Sequence, residues 1–185
     1  MTRSTLLSPS PDSPSPDPTI RRTGAAGLAA ALAGASRHWI QLVEFRPESR
    51  WAQLLPTADA ADVLDPSLHA ELAVAQIWLL SWLPEQGTPL HDHGLSAGAF
   101  AVVRGTLTER ALTAGRTRVR ESTADLTPGR VRHFGPHYLH QVTNTQTEPA
   151  VSVHVYTPGL SWMNTYAVDG GAVVRTGTER AGVDW

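Results

Sequence analysis

The sequence predicts a mainly β fold, a small antiparallel β-barrel of the jelly-roll kind with N-terminal helices. Three observations predict it. From about residue 75 onward, strand-like runs recur at 76–83, 99–103, 106–112, 117–121, 141–143, 151–156 and 172–175. Turn signals separate them at Gly105, Ala114-Gly115, Pro128-Gly129, Gly135-Pro136, Pro158-Gly159 and Gly170-Gly171. No helical pattern lies between the runs; the Ala- and Leu-rich stretch sits before them. Short strands at regular spacing, punctuated by turns, argue for a closed barrel or sandwich.

Taken in order, the chain opens with a Ser/Pro-rich tail over residues 1–20. Its core, Ser-Pro-Ser-Pro-Asp-Ser-Pro-Ser-Pro-Asp-Pro-Thr at 8–19, has too little apolar content to offset ordering entropy, so a disordered leader is expected. Residues 21–185 then form one domain. The segment 24–37 is rich in good helix formers and predicts a helix. Trp39-Ile-Gln-Leu-Val and Phe45 continue apolar and are expected to pack on the outside of the barrel. Residues 58–62 are helix or loop. A short helix is expected over 66–73, with Asp65 or Ser67 as its cap. The run Gln-Ile-Trp-Leu-Leu-Ser-Trp-Leu at 76–83 reads as a buried strand, and Pro84-Glu-Gln-Gly87 as a turn.

Composition excludes several function classes. A formal net charge of −2 over the 185 residues gives no electrostatic case for nucleic acid, and no basic patch suits a membrane surface. There are no cysteines, which removes disulfides, thiolate zinc sites and a cysteine nucleophile. No apolar run is long enough to span a bilayer, and the N-terminal residues lack the apolar centre of a signal peptide. A cytoplasmic protein is the expectation, as a monomer or small homo-oligomer.

The chemistry concentrates in two stretches. In Thr-Pro-Leu-His91-Asp-His93-Gly94, the two histidines are two residues apart. On an extended chain such a pair points to one face, where two imidazoles can grip one metal ion. A bare His-x-His is a weak motif; the downstream residues strengthen it. The run Phe134-Gly-Pro-His-Tyr-Leu-His-Gln-Val-Thr-Asn144 supplies a third histidine. His140, entering a strand, is the candidate; His137, in the turn beside Pro136, and His133, beside Arg132, are the alternatives. A second cluster is Ser152-Val-His154-Val-Tyr156. On a strand its three polar side chains share one face and its valines the other. Buried, those polar groups must bond one another or a ligand; the alternative is a solvated strand face.

The spacing Gly87-x3-His91-x-His93 followed by Gly129-x10-His140-x3-Asn144 resembles the paired motifs of the cupin superfamily, and so implies a cupin-type barrel. It departs from them where the usual acidic ligand would stand, because Ala97 and Gly98 occupy that place. Three neutral imidazoles would leave a divalent ion its full charge, which favours an anionic ligand such as a thiolate.

The stretch Thr-Glu-Pro-Ala-Val-Ser-Val-His-Val-Tyr-Thr-Pro at 147–158, together with His91-Asp-His93 and His140, resembles the cysteine dioxygenase family of thiol dioxygenases. The resemblance runs from about Trp78 to Tyr166. It implies iron(II), Fe(II), held by His91, His93 and His140, and an outer relay of Ser152, His154 and Tyr156. The Ser152 hydroxyl would hold one ring nitrogen of His154, the other would hold Tyr156, and Tyr156 would face the reacting thiol and oxygen. Animal members cross-link the relay tyrosine to a cysteine five residues after the second ligand histidine. That position is Gly98 here, so Tyr156 should be a free phenol. Cysteine-specific members bind the substrate carboxylate with an arginine on the segment before the metal strands, and mercaptopropionate-type members tend to have glutamine. Arg50 and Gln53 are the two candidates for that role. Trp82, Trp162 and Met163 are either pocket lining or core.

The function implied is dioxygenation of a small thiol, with L-cysteine as first substrate and 3-mercaptopropionate as second. The rivals are a different cupin enzyme, such as a sugar isomerase or another dioxygenase, and a non-catalytic metal-binding sensor. Imidazole ligands also suit nickel and zinc.

Overall fold

A computed structural model describes residues 24–114 and 119–183; the Ser/Pro-rich tail and the Gly115 turn lie outside them. Helix α1 (Gly24–Gly34) buries Leu28, Ala29 and Leu32. Buried Trp39 folds back and donates its indole N–H to the Leu32 carbonyl at 2.9 Å, satisfying one of the acceptors that a helix end leaves open. Short 3-10 turns over Ser36–His38 and Ile40–Leu42 carry the chain on. Strand β1 (Trp51–Leu55) leads to helix α2 (Thr57–Ala61). The 66–73 segment divides into a 3-10 turn, Pro66–Leu68, and helix α3 (His69–Leu72). Asp65 is its cap, accepting from the Ser67 amide at 2.9 Å.

The remaining strands follow in order: β2 (Gln76–Trp82), β3 (Leu90–His91), β4 (Ala97–Arg104), β5 (Leu107–Ala114), β6 (Val119–Leu126), β7 (Val131–Phe134), β8 (Leu139–Thr143), β9 (Ala150–Thr157), β10 (Trp162–Asp169) and β11 (Ala172–Arg180). One sheet runs β1-β2-β9-β4-β7 and the other β11-β10-β3-β8-β5-β6. Every pairing of these strands is antiparallel. The strand-like runs of the sequence left out β1, the two-residue β3, β7 and β10. Trp-Met-Asn-Thr-Tyr-Ala-Val-Asp in β10 carries Asn and Asp, which propensity disfavours in strands, and neighbouring strands override that. Among the described residues no helix is long and apolar enough to cross a membrane.

The first sheet is buried on both faces. On its outer face Ile77, Leu79, Ala99, Ala101, Val151, Val153 and Val155 pack with Leu28, Leu32 and Trp39. On its inner face Trp78, Leu80, Trp82, Phe100, Val102 and Tyr156 join Leu107, Leu126, Val142 and Met163 of the second sheet and its connections. The functional residues lie on this inner side.

Candidate metal centre

His91 ends β3, and its register partner on β8 is His140. That pairing brings together residues 49 apart in sequence. His93 lies two residues beyond His91, and one ligand atom from each of the three imidazoles lies within 4.8 Å of the other two. All three are buried. His93 Nε2 and His140 Nε2 are 3.2 Å apart. His133, on β7, and His137, in the turn after it, are exposed and stand outside the cluster.

The far nitrogens differ. His91 Nδ1 donates to the Pro89 carbonyl at 2.9 Å. His140 Nδ1 faces a Glu109 carboxylate oxygen at 2.8 Å. His93 Nδ1 is buried with no hydrogen-bond partner among the described residues, its ring stacked on Phe134 at 4.1 Å between centroids. Burial, followed by the neighbouring His140, pushes the His91 pKa down to about 3. Burial likewise holds His93 well below its usual range. Three buried imidazoles, two of them fixed from behind through Nδ1, are a donor set that fits a divalent transition metal.

Asp92, between the two histidines, points the other way. It accepts from the Gly94 amide at 2.9 Å, from the Asn164 amide at 3.2 Å and side chain at 3.0 Å, and from the Tyr166 hydroxyl at 2.7 Å. Burial raises its carboxyl pKa, but these bonds outweigh burial and the net shift is downward. The His-Asp-His segment is thereby tied to β10.

Ser152, His154 and Tyr156 are all buried on the inner face of β9. The Trp82 indole N–H donates to Ser152 Oγ at 2.9 Å. Ser152 Oγ lies 2.9 Å from His154 Nε2, and His154 Nδ1 lies 3.4 Å from the Tyr156 hydroxyl. Indole is a donor only. The Ser152 hydroxyl hydrogen therefore finds its acceptor at His154 Nε2, which leaves His154 Nδ1–H donating to Tyr156 oxygen and the Tyr156 proton free to point elsewhere. Burial holds His154 well below its usual pKa and pushes Tyr156 up, so both are neutral.

A small cavity joins these groups, lined by Arg50, Leu80, Trp82, Thr88, His91, His140, Val142, His154, Tyr156 and Met163. The Arg50 guanidinium sits 5.8 Å from the Trp82 ring centroid and donates to the Gly87 carbonyl at 3.4 Å. Burial lowers its pKa, and Tyr156 and then Glu179 oppose that shift. Gln53, by contrast, is exposed. It lies three positions from Arg50 on an extended chain, so the two fall on opposite faces, and Gln53 is corrected to a surface residue. Trp162 is also corrected: it is 38% exposed and its ring covers Gly94 from outside. Trp82 and Met163 line the cavity.

Gly98 is the register partner of Tyr156. A Cβ there would collide with the Val155 carbonyl oxygen and lie 2.9 Å from the Phe134 ring. The position beside the phenol therefore has no room for a side chain. Sequence reasoning missed Glu109 and Asn164, whose partners come from distant strands; Asp92 was in view, but its partners were not.

A family model described as cysteine dioxygenase type I matches residues 67–169. No curated protein sequence matches the chain. Among solved structures, the oxalate decarboxylase of Lactobacillus farciminis in a formate complex is similar at 14% identity over 68% of this chain and 34% of that one, with a TM-score of 0.50. The chain thus spans about a third of that protein. The TT1209 protein of Thermus thermophilus is similar at 22% identity over 65% of this chain and 93% of that one, TM-score 0.46. A Klebsiella pneumoniae protein with a double-stranded β-helix domain is similar at 15% identity over 77% and 93%, TM-score 0.44.

Proposed function

The chain belongs to the cysteine dioxygenase type I family, and from that premise we propose that it is an iron(II)-dependent thiol dioxygenase that converts L-cysteine to cysteine sulfinate. The observation that carries the proposal is one small cavity lined at once by two of the clustered imidazoles, a half-buried guanidinium and the phenol that ends a hydrogen-bond chain. In the reaction, thiolate plus O2 gives sulfinate: two S–O bonds form, the O–O bond breaks, and four electrons pass from sulfur to oxygen.

His91, His93 and His140 would hold the ion through Nε2. Iron(II) supplies, when bound, open coordination positions for a thiolate and O2. Arg50 places a guanidinium within the cavity, suited to a bidentate grip on the substrate carboxylate; the Trp82 ring beneath restricts its motion. Leu80, Val142 and Met163 form apolar walls that exclude water and strengthen each polar contact inside. The Trp82–Ser152–His154 chain occupies the Tyr156 oxygen as an acceptor. The phenolic O–H is then available to donate toward charge that develops on the reacting oxygen. Its raised pKa keeps that proton in place.

A specific observation favours 3-mercaptopropionate as a second substrate. None of the described lining residues is a carboxylate, so the α-ammonium of cysteine has no anionic partner there. 3-Mercaptopropionate keeps the thiol and the carboxylate and has no ammonium. The deciding experiment is O2 consumption by the iron(II)-reconstituted protein with both thiols in parallel, with the sulfinate identified. Uptake with sulfinate formed is expected. Iron-loaded protein that consumes no O2 with either thiol would overturn the proposal in favour of a metal-binding sensor.

A further inference from the structure

One buried charge has no part in the chemistry above. Glu109 on β5 is 1% exposed. Its register partner is Val142, and its neighbour Ala111 pairs with His140, so Glu109 reaches His140 on the diagonal across one face. One carboxylate oxygen accepts from His140 Nδ1 at 2.8 Å. The other forms an ion pair with Arg132 of β7, in the opposite sheet. The three imidazoles are therefore backed unequally: His140 by a carboxylate, His91 by the neutral Pro89 carbonyl, and His93 by the Phe134 ring. Ala97 and Gly98 stand where the sequence pattern would place an acidic ligand.

Resting on the reading that these histidines hold a metal, we infer that Glu109 is the positioning residue of the centre: it fixes the His140 tautomer that presents Nε2, makes His140 the strongest of the three donors, and supplies one bond out the negative charge that an acidic ligand would supply at the metal. A carboxylate behind a ligating imidazole raises its basicity, and removing such a partner costs about 10–100-fold in metal affinity.

The rival reading is a plain Glu–Arg ion pair that ties the two sheets, and it predicts that either partner matters equally. The test separates them. Anaerobic iron(II) is titrated against a competing chelator in the wild type, Glu109→Gln and Arg132→Gln, with thermal unfolding measured on each. Iron affinity is expected to fall about 10–100-fold in Glu109→Gln and to hold or rise in Arg132→Gln, where the carboxylate is no longer shared. Equal losses in the two variants, or no loss in Glu109→Gln, overturn the inference. Should Glu109→Gln not fold, imidazole nitrogen NMR of the metal-free wild type decides: His140 is expected as the Nδ1–H tautomer with its proton furthest downfield of the three, and an Nε2–H tautomer overturns the inference. Wild type and Glu109→Gln binding iron equally removes this role and leaves the dioxygenase reading standing. An iron-loaded wild type without O2 uptake does the reverse.

Discussion

The two faces of β9 are equally buried and differ in what burial demands. Val151, Val153 and Val155 are at most 1% exposed and meet the helix-side core; Ser152, His154 and Tyr156 are at most 5% exposed and face the cavity side. The valine face is held by area and fit, which tolerate exchange among apolar residues of similar volume. The polar face is held by a directed chain of hydrogen bonds in which each link has one donor and one acceptor. A lost link there leaves two buried groups unsatisfied. One strand thus separates stability from chemistry by the parity of its residues, and substitutions on the two faces should separate in the same way.

The largest expected effect is His140→Ala, which removes one of the three proposed ligands. Iron binding and O2 uptake should both be lost; full iron occupancy in the variant, measured by metal analysis, would take His140 out of the centre. Tyr156→Phe should retain iron yet lower kcat about 100-fold, the scale of one lost donor at developing charge; unchanged turnover would break the distinction between faces. Arg50→Gln should leave kcat close to wild type and raise KM by about 10–100-fold, the worth of a charged hydrogen bond; an unchanged KM would remove Arg50 from carboxylate binding. Ser152→Ala and Val153→Ala then form a pair with similar stability loss, about 1–3 kcal/mol each. Only Ser152→Ala should slow turnover, because it releases Trp82 and His154 together. Equal turnover in the two variants would show that the chain is packing alone.

The smallest effect is in pH. His154 is held by burial well below its ordinary value of 6.5, so below about that pH the unfolded chain binds more protons than the folded one and stability rises with pH. Metal-free protein should therefore lose stability as pH falls from 6.5, and His154→Gln should flatten that slope. The valine face carries no titratable group, and Val153→Ala should leave the slope unchanged.

Much of the site was legible because strand geometry has a period of two. The i, i+2 spacing of His91 with His93, and of Ser152 with His154 and Tyr156, put each set on one face before any tertiary contact was known. The turn glycines and prolines marked most strands, and the family resemblance rested on those same residues. What stayed open were choices of partner. Parity separates Arg50 from Gln53 but does not say which face looks inward; the pairing of β1 with β2 and the interior beside Trp82 decide that. Trp162 and Met163, adjacent in sequence, divide between surface and cavity for the same reason.

By itself, then, the sequence determined the mainly β class, the candidate histidines His91, His93 and His140, the shared face of Ser152, His154 and Tyr156, and the absence of a carboxylate at Ala97 and Gly98, since each follows from local spacing and residue chemistry. The tertiary structure alone decided that Arg50 enters the cavity, that no side chain fits at Gly98, and that Glu109 and Arg132 stand behind His140. Those contacts join residues far apart in the chain or lie across two sheets, and only register and sheet packing, which no local pattern encodes, bring them within reach.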